Sequence, residues 1–183
     1  MAYLKFTSIV LMLVLSGQVT ANDDEHAVAD SLHVDIGDVK AARSVRPVDG
    51  VTSAGQPDRE ALEVFANSGY AAVIDLRGAE ESRGIDEAGV VEDLGMSYVP
   101  FPIAGTEAIN FENAATLQRL IDSQDGPVLV HCGSGNRVGA LLALAEALRG
   151  ADDDAAIAAG KEGGLTRLEP VVRERLSDRA KSN

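Results

Sequence analysis

The chain has 183 residues, of which 45% are hydrophobic, so it is long enough to form one domain with a proper core. Tryptophan is absent and aromatic residues make up only 4%, so that core must consist mainly of Val, Leu, Ile and Ala. The formal net charge is −13 at pH 7, which disfavours nucleic acid and anionic membranes as partners. An anionic substrate would therefore need a local positive site.

The first 21 residues have the pattern of a secretory signal peptide. Lys5 precedes a continuous apolar run from Ile9 to Leu15, and Val19-Thr20-Ala21 offers small residues for cleavage. The run is too short to span a bilayer, and a short N-terminal anchor helix is the alternative interpretation. The pattern predicts a cleaved, periplasmic or secreted protein that has no membrane contact after cleavage.

Residues 22–42 are polar and acid-rich, which predicts a linker with at most one loosely docked helical turn. His26 and His33 lie in this segment at a spacing that suits no metal motif. We interpret both as solvated surface residues, and we expect neither a metal site nor another cofactor in this chain.

Residues 43–180 alternate apolar, strand-like runs with amphipathic, helix-like segments. This alternation predicts a single α/β domain with a mostly parallel central sheet, right-handed crossovers and helices on its faces. The predicted strands cover residues 45–53, 70–76, 96–103 and 127–130, and the predicted helices cover residues 58–67, 85–94, 111–121, 138–148, 152–161 and 165–176.

The single cysteine lies where a predicted strand meets a predicted helix, at the start of the Gly-rich segment Cys132–Arg137. A strand, a tight loop and a helix in this order point several backbone N–H groups at one anion. The helix dipole and the Arg137 guanidinium both favour the reactive thiolate, and the guanidinium can hold a tetrahedral oxyanion with two N–H groups. The polar flanks argue against a buried core cysteine. We predict a nucleophilic Cys132 at an anion-binding loop formed by Gly133, Ser134, Gly135, Asn136 and Arg137.

Three blocks of the sequence stand out, namely Ser53-Ala54-Gly55-Gln56-Pro57, Val73-Ile74-Asp75-Leu76-Arg77 and the run from His131 to Ala140. Together they resemble cysteine-dependent phosphatases of the tyrosine and dual-specificity type, and most closely a bacterial branch, the phosphatase-like domain of the beta-lactamase-hydrolase-like family. The resemblance spans roughly residues 43–150 and implies a tyrosine-phosphatase-like fold. It implies that Cys132 attacks a phosphate ester, on a phosphorylated protein or a small anionic molecule, and forms a phosphocysteine.

Two departures from that family keep other functions open. Four residues separate Cys132 from Arg137, where phosphatases of this superfamily have five, and Val138 stands where they usually place Ser or Thr. The shorter spacing resembles rhodanese-like sulfurtransferases, which carry a persulfide on the cysteine. A sulfurtransferase is therefore the second hypothesis, and a non-catalytic module that binds phosphate or sulfate is the third.

Glu107 is the candidate general acid, because it is the only carboxylate in residues 102–107, where the resemblance places that group. Glu112 is the next carboxylate along the chain. A solvated residue at the start of a helix is the alternative interpretation of Glu107. Transfer of sulfur from a persulfide needs no such acid.

Three further residues are candidates for supporting roles. The resemblance implies that His131 tunes the loop by hydrogen bonding, and a structural strand-end histidine is the alternative. Asp75 and Arg77 end a predicted strand on the side where α/β sheets bind ligands. Arg77 could attract the substrate or pair with Asp75 or Glu80. The sequence leaves the physiological substrate and the oligomeric state open.

Overall fold

The computed structural model describes residues 32–45 and 51–182. The signal peptide predicted for residues 1–21 lies outside these ranges and stays a prediction. Among the described residues, no helix combines the length and the apolar character needed to cross a bilayer.

In the part of the chain that the structure describes, five strands form one central parallel sheet. They are β1 (Leu32–Val34), β2 (Val51–Ala54), β3 (Ala72–Asp75), β4 (Ser97–Pro100) and β5 (Val128–His131). Their order is β1-β2-β5-β3-β4, so β5 lies in the middle of the sheet. Ala54, His131 and Asp75 are level in the register of the three inner strands. The segments that follow these strands therefore meet at one edge of the sheet.

Within the described residues, seven helices cover the two faces of the sheet. They are α1 (Ile36–Ala42), α2 (Arg59–Asn67), α3 (Glu87–Asp93), α4 (Phe111–Asp122), α5 (Asn136–Leu148), α6 (Asp153–Glu162) and α7 (Glu169–Ser182). Successive side chains of a strand point to opposite faces of the sheet. Val73 and Leu129 therefore pack in one apolar cluster with α1 to α3. Ile74 and Val130 pack in a second cluster with α4 to α7. The predicted α/β fold with a mostly parallel sheet is confirmed.

Helix α5 is buried along almost its whole length, between the sheet and the other helices of its face. Its close contact with α6 depends on glycines. A Cβ atom on Gly139 would lie 2.9 Å from the carbonyl carbon of Gly164, and one on Gly160 would lie 2.8 Å from the Gly139 carbonyl oxygen. This packing fixes the helix whose first turn follows the cysteine.

The predicted linker at residues 22–42 is wrong for the part that the structure describes. Residues 32–34 form β1, which pairs with residues 52–54 of β2, and α1 follows directly. The carboxylate of Asp35 caps α1 by accepting a 2.6 Å hydrogen bond from the N–H of Gly37. The sequence shows no clear alternation of apolar and polar residues here, because β1 is an edge strand with exposed side chains and α1 buries only Val39.

Element boundaries differ from the prediction at two functionally relevant places. Strand β4 ends at Pro100 rather than at residue 103, because the regular register with β3 stops there. The Phe101 N–H donates to the Asp75 carbonyl, but the Ile103 N–H donates to the next carbonyl, that of Leu76. Helix α5 begins at Asn136 rather than at Val138, so the end of the Gly-rich segment forms the first helical turn.

Candidate active site

Cys132 lies directly after β5, at the middle of the sheet edge where the inner strands end. Its side chain is only 1% exposed and belongs to the apolar cluster on the α5 face, which corrects the expectation of an unburied thiol. The next two residues, Gly133 and Ser134, are exposed. The sulfur therefore lies at the floor of the loop, beside a solvent-exposed rim.

The loop ends in the open N-terminus of α5. Gly135 is the N-cap residue, with φ of 79°, and its position carries no side-chain cap. The first helical hydrogen bond, 2.9 Å long, runs from the N–H of Gly139 to the Gly135 carbonyl. The N–H groups of Asn136, Arg137 and Val138 therefore precede the helical ladder and face outward at the positive end of the dipole. The sequence predicts an anion at these N–H groups, and anion binding there stays a prediction.

At Gly55, the end of β2 lies against the cysteine loop. Gly55 forms an isolated antiparallel bridge with Ser134. A Cβ atom at position 55 would lie 3.4 Å from the Gly133 carbonyl oxygen and 3.6 Å from the Ser134 Cα. These are ordinary van der Waals distances, so the end of β2 and the loop backbone are packed directly against each other at this position.

Arg137 is held by Glu81, a residue that the sequence analysis did not identify. The guanidinium Nη1 and Nη2 atoms donate to the two Glu81 carboxylate oxygens at 2.6 and 2.7 Å. Nη1 also donates to the backbone carbonyls of Leu76 and Ile103, at 3.3 and 3.1 Å. These bonds occupy one edge of the guanidinium and leave the edge formed by Nε and Nη2, which can grip an oxyanion with two hydrogen bonds.

The pairing shifts the pKa values of both Glu81 and Arg137. The bond to Arg137 lowers the pKa of Glu81 to about 2, so Glu81 is an anion at neutral pH. The same bond raises the pKa of Arg137, and the charge of the Cys132 side chain adds to that effect. No local signal separates Glu81 from Glu80 in the sequence, because the two acids are neighbours in a charged loop.

A buried network of charged groups lies beside the loop. Asp75 is fully buried and accepts hydrogen bonds at 2.8 Å from the Arg83 Nε, the Tyr98 hydroxyl and the Arg77 backbone N–H. Burial, together with Asp75, raises the pKa of Tyr98 to about 12. The ion-pair partner of Asp75 is therefore Arg83, and not Arg77 as one interpretation of the sequence had it.

The side chain of Arg77 is directed to the loop that holds Glu81. Its Nε lies 3.8 Å from the Glu81 carboxylate, and its Nη2 donates to the Ser82 carbonyl. Its Nη1 is buried and has no hydrogen-bond partner among the described residues. Arg77, Glu81 and Arg137 thus form one charged group at the carboxyl end of β3.

His131 faces the charged network rather than the thiol, as the alternation of side chains along a strand predicts. Its Nε2 lies 2.7 Å from Glu87 Oε1 and 3.7 Å from Asp75 Oδ1, and all three side chains are fully buried. Glu87 comes from the first turn of α3 and also accepts a 3.2 Å hydrogen bond from Gln56. The sequence analysis missed Glu87, because its predicted position on a short surface helix gave no sign of burial.

Asp75, Glu87 and His131 could in principle ligate a cation, since one ligand atom from each lies within 4.8 Å of the others. Both oxygens of Asp75 already accept hydrogen bonds, however. The guanidinium of Arg83 supplies the positive charge, at 2.7 Å from Asp75 and 3.8 Å from Glu87. The donor set fits an ion-pair network better than a metal centre.

Asn136 has a conformational role. Its Oδ1 accepts hydrogen bonds from the Thr166 N–H and hydroxyl, at 2.8 and 3.1 Å, and from the Leu168 N–H at 3.3 Å. The side chain thus ties the first turn of α5 to the connection between α6 and α7.

Glu107 is not directed toward Cys132 and Arg137. Its side chain is 94% exposed and lies 3.4 Å from the guanidinium of Arg175. The segment that contains it does begin at the site, because Ile103 accepts a hydrogen bond from Arg137. A role for Glu107 as general acid stays a prediction, and it requires this side chain to turn inward.

Sequence comparisons agree with the resemblance of the three blocks. A family model described as DSP-PTPase phosphatase fused to NAD+ kinase matches residues 40–166, which leaves β1 outside the match. A beta-lactamase hydrolase-like protein of Xylella fastidiosa (strain Temecula1) is 38% identical over 100 residues, which are 52% of this chain and 23% of that protein. The chain spans about a quarter of the length of the curated relatives it matches.

Solved structures with the same fold are phosphatases of the protein-tyrosine-phosphatase type. A Neisseria meningitidis Z2491 protein described as a candidate phosphatase gives a TM-score of 0.61 at 24% identity, over 70% of this chain and 92% of that chain. A cysteine-to-serine variant of P. aeruginosa TpbA in complex with phosphotyrosine gives a TM-score of 0.57 at 14% identity, over 78% and 85%. At these identities the likeness concerns the fold.

Proposed function

We propose, because the chain belongs to the DSP-PTPase phosphatase family, that it hydrolyses phosphate monoesters through a covalent intermediate on Cys132. The observation that carries this proposal is the joint placement of three groups. Cys132 lies at the floor of the loop, the uncapped N-terminus of α5 ends the same loop, and Glu81 binds one edge of Arg137 and leaves the edge formed by Nε and Nη2 for an oxyanion.

In the proposed reaction, the Cys132 thiolate attacks the phosphorus of the ester. The bond from phosphorus to the leaving oxygen breaks, that oxygen takes a proton, and a phosphocysteine forms. Water then attacks the phosphorus, the bond to sulfur breaks, and inorganic phosphate leaves while Cys132 returns to the thiolate. The free N–H groups of α5 and of Arg137 stabilise the charge on the phosphoryl oxygens during both steps.

Protonation of the leaving oxygen falls to Glu107 or to water. A positioned acid contributes roughly a hundredfold to ten-thousandfold to such a step, so a solvent-facing Glu107 predicts slow turnover. Aryl phosphates need little help from an acid, and we expect them to be the better test substrates. The Nη1 atom of Arg77 is a further donor that supports anion binding near Arg137.

The natural substrate in this proposal is a phosphorylated protein, such as one carrying phosphotyrosine, or a small phosphate ester. The protein would act in the periplasm or outside the cell if residues 1–21 are cleaved. Sequencing the N-terminus of the protein after expression in a bacterial host tests this, and a mature chain that retains Met1 would contradict export by cleavage.

Hydrolysis of an aryl phosphate by the purified protein tests the activity. We expect turnover by the wild type, none by Cys132→Ser, and a phosphoryl adduct on Cys132 when the reaction is quenched in acid. Turnover that is equal in the wild type and in Cys132→Ser would overturn the proposal.

The second candidate function is sulfur transfer through a persulfide on Cys132, favoured by the four-residue spacing between Cys132 and Arg137. Transfer of sulfur from thiosulfate to cyanide, together with one added sulfur on Cys132, would support it. Phosphate or sulfate binding that survives Cys132→Ser, without turnover of either kind, would instead indicate a binding module.

A further inference from the structure

His33, on the edge strand β1, packs against the outside of the cysteine loop. A Cβ atom on Gly135 would lie 2.7 Å from the His33 Nδ1 and closer still to its Cε1. A Cβ atom on Gly164 would also lie 2.7 Å from that Nδ1. The imidazole therefore occupies the space that side chains at both glycines would need, and it contacts the N-cap residue of α5.

The contact is part of a wider support behind the loop. His33 is paired with Ser53 of β2, and the Ser53 hydroxyl donates a 2.7 Å hydrogen bond to the Gly163 carbonyl. Asn136 holds the same α6–α7 connection three residues further on, at Thr166. The ring of His33 thus fills the space between two backbone segments that are already tied to the sheet and to α5.

The ring is suited to act as an uncharged packing group. His33 is exposed as a residue, but partial burial of its ring lowers its pKa, and Asp35 opposes this only in part. A neutral imidazole avoids placing a positive charge beside the positive end of α5.

We propose that His33 is a positioning residue for the cysteine loop. Its ring holds Gly135, so that the N–H groups of Asn136, Arg137 and Val138 keep their direction toward the anion and toward the Cys132 thiolate. For its effect on turnover this inference rests on the proposed phosphatase function, but its effect on the thiolate can be measured without any phosphate.

The first test is the rate at which iodoacetamide alkylates Cys132 between pH 5 and 9. We expect His33→Ala to move the midpoint of this pH profile upward and to slow alkylation at pH 6 by about tenfold, because one pH unit corresponds to a tenfold change in thiolate. His33→Phe restores a planar ring and should recover most of the rate. Leu32→Ala is the control for a weakened β1, since Leu32 precedes His33 on the same strand and is not among the nearest neighbours of Gly135 or Gly164.

A His33→Ala profile equal to that of Leu32→Ala would overturn the proposal. An altered profile in a protein that hydrolyses no aryl phosphate would refute the phosphatase function and leave the role of His33 intact.

The second test starts from a substitution at Gly135, which leaves the His33 side chain in place. Gly135 and Gly95 have φ angles of 79° and 81°, but of these two positions only Gly135 would bring an added Cβ atom within 4 Å of a neighbour. We expect Gly135→Ala to lower Tm by several degrees more than Gly95→Ala, and His33→Gly to remove most of that difference in the double variant. Equal Tm losses, or strictly additive effects, would contradict the packing role.

Discussion

At the scale of single residues, the chemistry of the site depends on how Arg137 is held. The Glu81 carboxylate takes one edge of the guanidinium in a bidentate pair, and the carbonyls of Leu76 and Ile103 take the remaining Nη1 donor. A long arginine side chain is thereby fixed before the anion arrives, which lowers the entropic cost of binding.

The first prediction concerns Glu81→Gln. A neutral amide cannot hold both guanidinium nitrogens as a carboxylate does, so Arg137 should become less ordered. We expect kcat/KM for an aryl phosphate to fall about tenfold, with kcat and KM both affected. Glu80→Gln is the matched control, because Glu80 is the exposed neighbour in the same loop. Equal losses in the two variants would contradict a specific role for Glu81.

The pKa of Glu81 predicts an acid-dependent stability. Its folded value of about 2 lies below the usual 4.5, so the unfolded chain binds this proton more readily. The stabilisation is therefore complete above pH 4.5 and is lost as the pH falls toward 2. We expect the Tm difference between the wild type and Glu81→Gln to shrink across this window. A difference that stays constant from pH 5 to pH 2 would argue against the ion pair.

At the scale of elements, α3 is joined to the sheet by a buried polar contact as well as by apolar packing. Glu87, in the first turn of α3, lies 2.7 Å from His131 at the end of β5, and both side chains are fully buried. Removing the Glu87 carboxylate deprives buried polar groups such as the Gln56 amide of their acceptor, which costs about 1–3 kcal/mol. We expect Glu87→Ala to lose about this much free energy of unfolding in urea titrations. Glu92→Ala, at an exposed position of α3, should change it by less than about 0.5 kcal/mol.

The contrast between α5 and the loop that contains Glu81 shows which elements a sequence makes predictable. The run of apolar residues in α5 and β5, with glycines between them, is a local pattern, and it correctly predicted the strand, the loop and the helix around Cys132. The pairing of Arg137 with Glu81 joins residues 56 positions apart, and β1 depends on an edge pairing that leaves its side chains exposed. No local period records either contact, so both emerge only from the folded chain.

At the scale of the whole molecule, the net charge of −13 opposes the local anion site. Glu81 balances the charge of Arg137 at close range, so little positive field extends beyond the loop. The Debye length falls from about 30 Å at 0.01 M salt to about 10 Å at 0.1 M, and salt therefore screens the long-range repulsion more than the contacts inside the loop.

This balance predicts how salt affects alkylation of Cys132 by an anionic and a neutral reagent. We expect the rate ratio of iodoacetate to iodoacetamide to rise roughly twofold or more between 0.01 and 0.2 M NaCl, because the reagents differ mainly in charge. In Glu81→Gln the site gains positive charge, so the ratio at low salt should start higher and rise less. A ratio that falls with salt in the wild type would mean that the loop attracts anions from a distance, despite the acidic surface around it.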